Sequence, residues 1–141
     1  MERIDMLEER LADVPLFAGL SGGHRRVIAE LAHRVEVPAG ATLTVQGEDG
    51  RDFMIVLEGD VEVRAGDTVV TTLGPGSYFG EIALLDSRPR TATLTALTPM
   101  VLEVIGRSGF ALALAEVPGL SDELRDAMAR RLQELDGDTA R

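Results

Sequence analysis

The sequence predicts a mainly β domain with flanking helices: an antiparallel β jelly-roll barrel, preceded by N-terminal helices and followed by C-terminal helices. Three observations carry this. Apolar residues recur at helical spacing over residues 1–35, the period drops to two over residues 36–106, and the helical period returns over residues 107–135. A chain of 141 residues with 45% apolar content fills one core, so residues 1–141 read as a single domain.

In the first region Ile4, Leu7, Leu11 and Val14 form one apolar face, and Val27, Ile28, Leu31, Ala32 and Val35 form a second. Pro15 and the cluster Gly19, Gly22 and Gly23 separate the two helices, with Leu16–Leu20 as a short turn between them. Strands are predicted over Thr42–Gln46, Asp52–Leu57, Val61–Arg64, Thr68–Leu73, Thr91–Leu97 and Val101–Ile105. Turn formers punctuate them: Pro38-Ala39-Gly40, Gly47-Glu48-Asp49-Gly50, Glu58-Gly59-Asp60, Ala65-Gly66-Asp67 and Gly74-Pro75-Gly76. Short strands at this spacing favour a sandwich or barrel. Past Arg107, one helix spans about Ser108–Val117 and stops at Pro118-Gly119. A second starts with Ser121 as N-cap and has Asp122 and Glu123 in its first turn, where acidic side chains suit the helix dipole. Leu120, Leu124, Met128, Leu132 and Leu135 share one face of that helix, and Asp136–Arg141 reads as a frayed tail.

Composition removes several classes of function. The 24 acidic residues outnumber the 14 basic ones for a net charge of −10, and no region has a basic excess. Nucleic-acid phosphates and anionic membrane surfaces are therefore poor partners. No apolar run approaches the ~20 residues of a spanning helix, and the opening Met1-Glu2-Arg3-Ile4-Asp5 has no signal-peptide core. With no Cys there is no disulfide, thiolate metal site or Cys nucleophile, and a cytoplasmic location is expected. His24 and His33 have no evident metal-binding partners and read as surface residues, so no metal site is expected. A metalloenzyme on a jelly roll needs histidines on its strands, and none follows His33. Every basic residue is Arg and none is Lys, which points to the codon usage of a GC-rich bacterial genome.

One stretch breaks the period of two: Phe79-Gly80-Glu81-Ile82-Ala83-Leu84-Leu85-Asp86-Ser87-Arg88-Pro89-Arg90-Thr91-Ala92-Thr93. Gly80–Leu85 holds good helix formers opening on a glycine, and a short helix there would offer its unpaired first-turn N–H groups to an anion. Pro89 ends the excursion and Arg90 starts the next strand. Ala92, Leu94 and Ala96 alternate with Thr91, Thr93 and Thr95, so Arg90 shares the parity of the inward face. A guanidinium aimed into a small barrel is costly unless an anion meets it with paired hydrogen bonds. Taken singly, Glu81 also suits a helix N-terminus for dipole reasons alone, Arg90 suits a solvated edge, and Arg88 faces solvent.

The stretch Phe79–Thr93 resembles the phosphate-binding cassette of cyclic nucleotide-binding domains, the module of catabolite-activator-type regulators, cyclic-nucleotide-dependent kinases and gated channels. Gly80-Glu81, an apolar helical turn and Pro89-Arg90-Thr91-Ala92-Thr93 stand at that family's spacing. The likeness runs from about Val14 to Leu135, through Pro15–Leu20 and through Phe53–Val63 with its hairpin glycine Gly59. It implies a non-catalytic sensor of a cyclic nucleotide monophosphate, cAMP ahead of cGMP, that relays occupancy through its C-terminal helix. It implies that Arg90 grips the cyclic phosphate with a bidentate fork and that Glu81 accepts from the ribose 2′-hydroxyl. Backbone groups of Gly80, Ile82, Ala83 and Thr91 would bond sugar and phosphate, and Val63, Leu73, Ile82 and Leu84 would line the pocket. Thr91 has a second role open to it, a contact with a guanine amino group that would favour cGMP. No helix-turn-helix, pore or kinase segment follows within the 141 residues. The expectation is a sensor that is either a stand-alone binding protein or a regulatory domain of a longer chain, with a homodimer or an effector protein engaged through the C-terminal helix, whose apolar stripe would cover the base or a second copy. The alternative is a degenerate module serving only protein–protein interaction, which would not need both Glu81 and Arg90.

Overall fold

The computed structural model describes residues 2–80 and 89–139. Three helices lead: α1 (Glu2–Leu11), α2 (Pro15–Ala18) and α3 (Gly22–Leu31). The strands are β1 (His33–Val37), β2 (Thr42–Thr44), β3 (Asp52–Glu58), β4 (Val61–Ala65), β5 (Thr68–Leu73), β6 (Tyr78–Phe79), β7 (Thr93–Ala96) and β8 (Met100–Gly106). Two helices close the described chain, α4 (Arg107–Glu116) and α5 (Leu120–Thr139).

All ladders are antiparallel and make two four-stranded sheets, ordered β1-β8-β3-β6 and β2-β7-β4-β5. The expected antiparallel jelly roll with flanking helices is thus present, and among the described residues no ladder joins the two sheets, so it takes the form of a two-sheet sandwich. Side-chain alternation records which face is buried; it does not record whether sheet edges pair.

The helix expected to run to Val35 ends at Leu31, and Ala32 turns extended at φ −90°, ψ 154°. Residues 33–35 then belong to β1, where Val35 and Val37 pack between the sheets and Glu36 stays exposed. The alternating valines outweigh the helical spacing of Leu31 and Val35. Ser21 caps α3, its hydroxyl accepting from His24 N at 3.1 Å. Ser121, expected as the cap of the last helix, lies inside the first turn of α5, which starts at Leu120 just after Gly119 at φ 83°. The helix also continues to Thr139 through the predicted frayed tail.

β3 is buried on both faces, which explains its unbroken apolar run from Phe53 to Leu57. Phe53, Ile55 and Leu57 face the helices in one core, while Met54 and Val56 face the second sheet in another. Phe110 of α4 lies 5.1 Å from Phe53 between ring centroids, and Phe17 of α2 meets the same ring edge-on at 6.5 Å. Leu120 and Leu124 of α5 join this helix-side core. The first half of the C-terminal stripe is thus covered by the helical layer of its own chain. The side chains of Leu132 and Leu135 lie outside the described residues.

Glu103 of β8 is 3% exposed and is paired with Arg3 of α1 at 2.5 Å. Burial pushes its carboxyl above the ordinary value of 4.5, against the pull of Arg3, Arg34 and His33. A raised folded-state pKa means the native protein holds this proton more tightly than the unfolded chain does. The resulting stability is full below the unfolded value and is lost as pH rises through the folded one. Glu103→Gln keeps a side-chain oxygen for Arg3 and removes the titration. Wild type is therefore expected to lose stability relative to Glu103→Gln as pH rises from about 4 towards 7. Thermal midpoints of the two proteins across that range check this, and a constant difference would return Glu103 to ordinary behaviour.

Candidate functional site

Arg90 precedes β7 instead of starting it. Its N–H donates to Glu48 O at 2.7 Å, its carbonyl accepts from Gly47 N at 2.9 Å, and Asp49 and Pro89 form an isolated antiparallel bridge. β7 spans Thr93–Ala96 and is shorter than the predicted Thr91–Leu97, and its register with β2 shifts between Thr42 and Thr44. The alternation beyond Arg90 is as expected: Ala92, Leu94 and Ala96 are buried, and Thr91, Thr93 and Thr95 are half-buried.

Pairing of β3 with β6 sets Met54 opposite Phe79 and so carries Gly80 to the start of β3. There the half-buried Arg90 side chain donates from Nη2 to Asp52 O at 3.0 Å. Gly80 sits against both groups at φ 105°. A Cβ at this position would lie 2.3 Å from Asp52 O and 2.8 Å from Arg90 Nη1. The left-handed backbone and the close approach both demand glycine here.

Two of the predicted lining residues, Val63 of β4 and Leu73 of β5, belong to the inter-sheet core together with Phe79, Ala92 and Leu94. That core reaches Gly80 and Arg90 through Phe79 and Ala92. Glu81, Ile82, Ala83, Leu84 and Arg88, and the short helix expected from Gly80, fall outside the described residues. Sequence reasoning missed two partners of Arg90: the Asp52 carbonyl, and the backbone of Gly47 and Glu48. The signal for the second is the run Gly47–Gly50, whose turn formers punctuate the predicted strands. His33 is exposed and His24 half-buried. Among the described residues no group of His, Asp or Glu is placed to hold a metal ion, and no helix is long and apolar enough to cross a membrane.

An apolar interior between two sheets reaches a guanidinium seated against a glycine, an arrangement of a β domain that suits an anionic ligand. The chain belongs to the cyclic nucleotide-binding domain family, whose profile matches residues 34–116. It is 44% identical over 95 residues to the cAMP-dependent protein kinase regulatory subunit of Mycosarcoma maydis, covering 64% of this chain and 18% of that protein. It is 29% identical over 139 residues to the CRP-like cAMP-activated global transcriptional regulator of Mycobacterium tuberculosis, covering 95% of this chain and 62% of that one. The solved structure of cAMP-bound PfPKA-R superposes with a TM-score of 0.89 at 25% identity, over 96% of this chain and 47% of the other. The chain therefore spans only part of the length of these relatives.

Proposed function

We propose that this domain binds a cyclic nucleotide monophosphate, cAMP in preference to cGMP, and acts as a non-catalytic regulatory module. The observation that carries the proposal is Arg90 seated against Gly80 and the Asp52 carbonyl at the edge of the inter-sheet core. The cAMP named for the similar proteins supports the choice of base, and Thr91 is the position at which a guanine amino group would be read. Arg90 holds the phosphate, Glu81 accepts from the ribose 2′-hydroxyl, and backbone groups of Gly80, Ile82, Ala83 and Thr91 complete the polar contacts. Val63, Leu73, Ile82 and Leu84 cover the apolar faces.

Occupancy is relayed through the C-terminal helices to a second copy or to an effector protein. The packing of Leu120 and Leu124 beside Phe110 and Val117 supports a relay in which α4 and α5 move together. A cytoplasmic setting rests on the absence of Cys, and a bacterial one on the all-Arg basic set; the similar proteins named above come from a fungus and from a mycobacterium.

Binding to the folded state alone adds about 2.7 kcal/mol of stability at a ligand concentration of 100 times Kd. For a domain of this size the melting temperature is expected to rise by about 5 °C. Absence of any shift with cAMP or cGMP, on the order of millimolar, would overturn the proposal and leave a module for protein interaction only.

A further inference from the structure

The loop that holds the Arg90 backbone is itself tied to a distant hairpin by one exposed side chain. Gln46 Oε1 accepts from Gly66 N at 2.7 Å, in the turn joining β4 to β5. That turn is braced in its own right, with Gly66 at φ 60° and Arg64 Nη1 donating to Asp67 O at 3.3 Å. Gln46 N donates to Thr93 Oγ1 at 2.9 Å, at the start of β7. The next two residues carry the pair of backbone bonds to Arg90, from Gly47 N and to Glu48 O. Residues 46–48 thus bracket Arg90 between the β4–β5 turn and β7.

From this arrangement we infer that Gln46 is a positioning residue for Arg90, through which the β4–β5 turn sets the strength of the anion site from outside the pocket. The affinity part rests on the role proposed above for Arg90; the positioning part does not. The Asp52 carbonyl fixes the tip of the Arg90 side chain, and the bracket fixes its root. A guanidinium meets phosphate oxygens through two parallel bonds, so a small displacement of its root misaims both. Gln46 is exposed and takes no part in either core, so its removal loosens the bracket without opening a cavity.

The test uses Gln46→Ala, with Gln46→Glu as the variant that keeps the acceptor oxygen for Gly66. Without ligand, amide hydrogen exchange at Gly47 and Arg90 is expected to quicken in Gln46→Ala and to stay near wild type in Gln46→Glu. Exchange at Met54 and Leu102, in the β3–β8 ladder, is expected to be unchanged in both and reports that the fold is intact. Calorimetry with cAMP is expected to show affinity lower by roughly three- to tenfold in Gln46→Ala, the range of one hydrogen bond. That loss is expected to vanish when Arg90 is already alanine. Unaltered exchange at Gly47 and Arg90 overturns the positioning role, and an equal affinity loss with and without Arg90 overturns the link to the anion site. If wild type binds no cyclic nucleotide, the proposed function fails and the link to affinity fails with it, while exchange at the two amides still decides the positioning role.

Discussion

Arg90→Ala is expected to weaken cAMP binding by about 30-fold to several thousand-fold, equivalent to about 2–5 kcal/mol. The loss is large because the remaining partner is a phosphate already taken out of water and left with fewer charge-assisted bonds. The ligand-free protein is expected to change far less. It loses the hydrogen bond from Nη2 to Asp52 O, worth about 1 kcal/mol, so its melting temperature moves only slightly. Arg90→Lys is expected to fall between the two, since it restores the charge without the fork. Titration calorimetry alongside thermal melts separates binding from folding, and near-normal affinity in Arg90→Ala would remove Arg90 from its assigned place.

Gly80→Ala is expected to damage both folding and binding. A non-glycine residue at φ 105° carries backbone strain of about 1–3 kcal/mol. The added carbon also has no room, because its nearest neighbour is a strand carbonyl at 2.3 Å and not the end of a flexible side chain. Either β6 moves off β3 or the Arg90 guanidinium is displaced, and in both cases the anion loses its partner. Gly40→Ala supplies the control, since Gly40 has φ 88° with nothing within 4 Å of the added carbon. The extra destabilisation of Gly80→Ala over Gly40→Ala in denaturant unfolding measures the contact apart from the strain. Equal stability of the two variants, with normal affinity in Gly80→Ala, would show that the close approach imposes no constraint.

Much of this architecture was legible in the chain. The change of period located the helical and β regions, and the alternation after Arg90 correctly placed Ala92, Leu94 and Ala96 inside. The errors have physical causes. β6 is two residues long, too short for any alternation to register. At β1, Leu31 and Val35 stand at helical spacing across a helix end, so one pattern masked another. Parity alone puts Arg90 on the strand of Ala92, Leu94 and Ala96, whereas its backbone pairs with the Gly47–Glu48 loop ahead of β7. Its supports include backbone atoms of Asp52, Gly47 and Glu48, and a main-chain atom leaves no trace in residue identity. The stripe on α5 was visible, but a stripe states only that it needs cover. That Phe110 and Val117 share its core is a tertiary fact.

The double burial of β3 has a mechanical consequence. Successive residues of a strand face opposite ways, so the single peptide unit between Asp52 and Phe53 touches two different worlds. Its carbonyl, on Asp52, holds Arg90, while the next ring, on Phe53, rests among Phe17, Tyr78 and Phe110. A peptide is a stiff plate. The Asp52 carbonyl and the Phe53 nitrogen belong to that one plate, so the atom that holds Arg90 and the residue whose ring packs against the helices share a single rigid unit. A displacement of the carbonyl is passed directly to the root of the Phe53 side chain, across the thickness of the sheet.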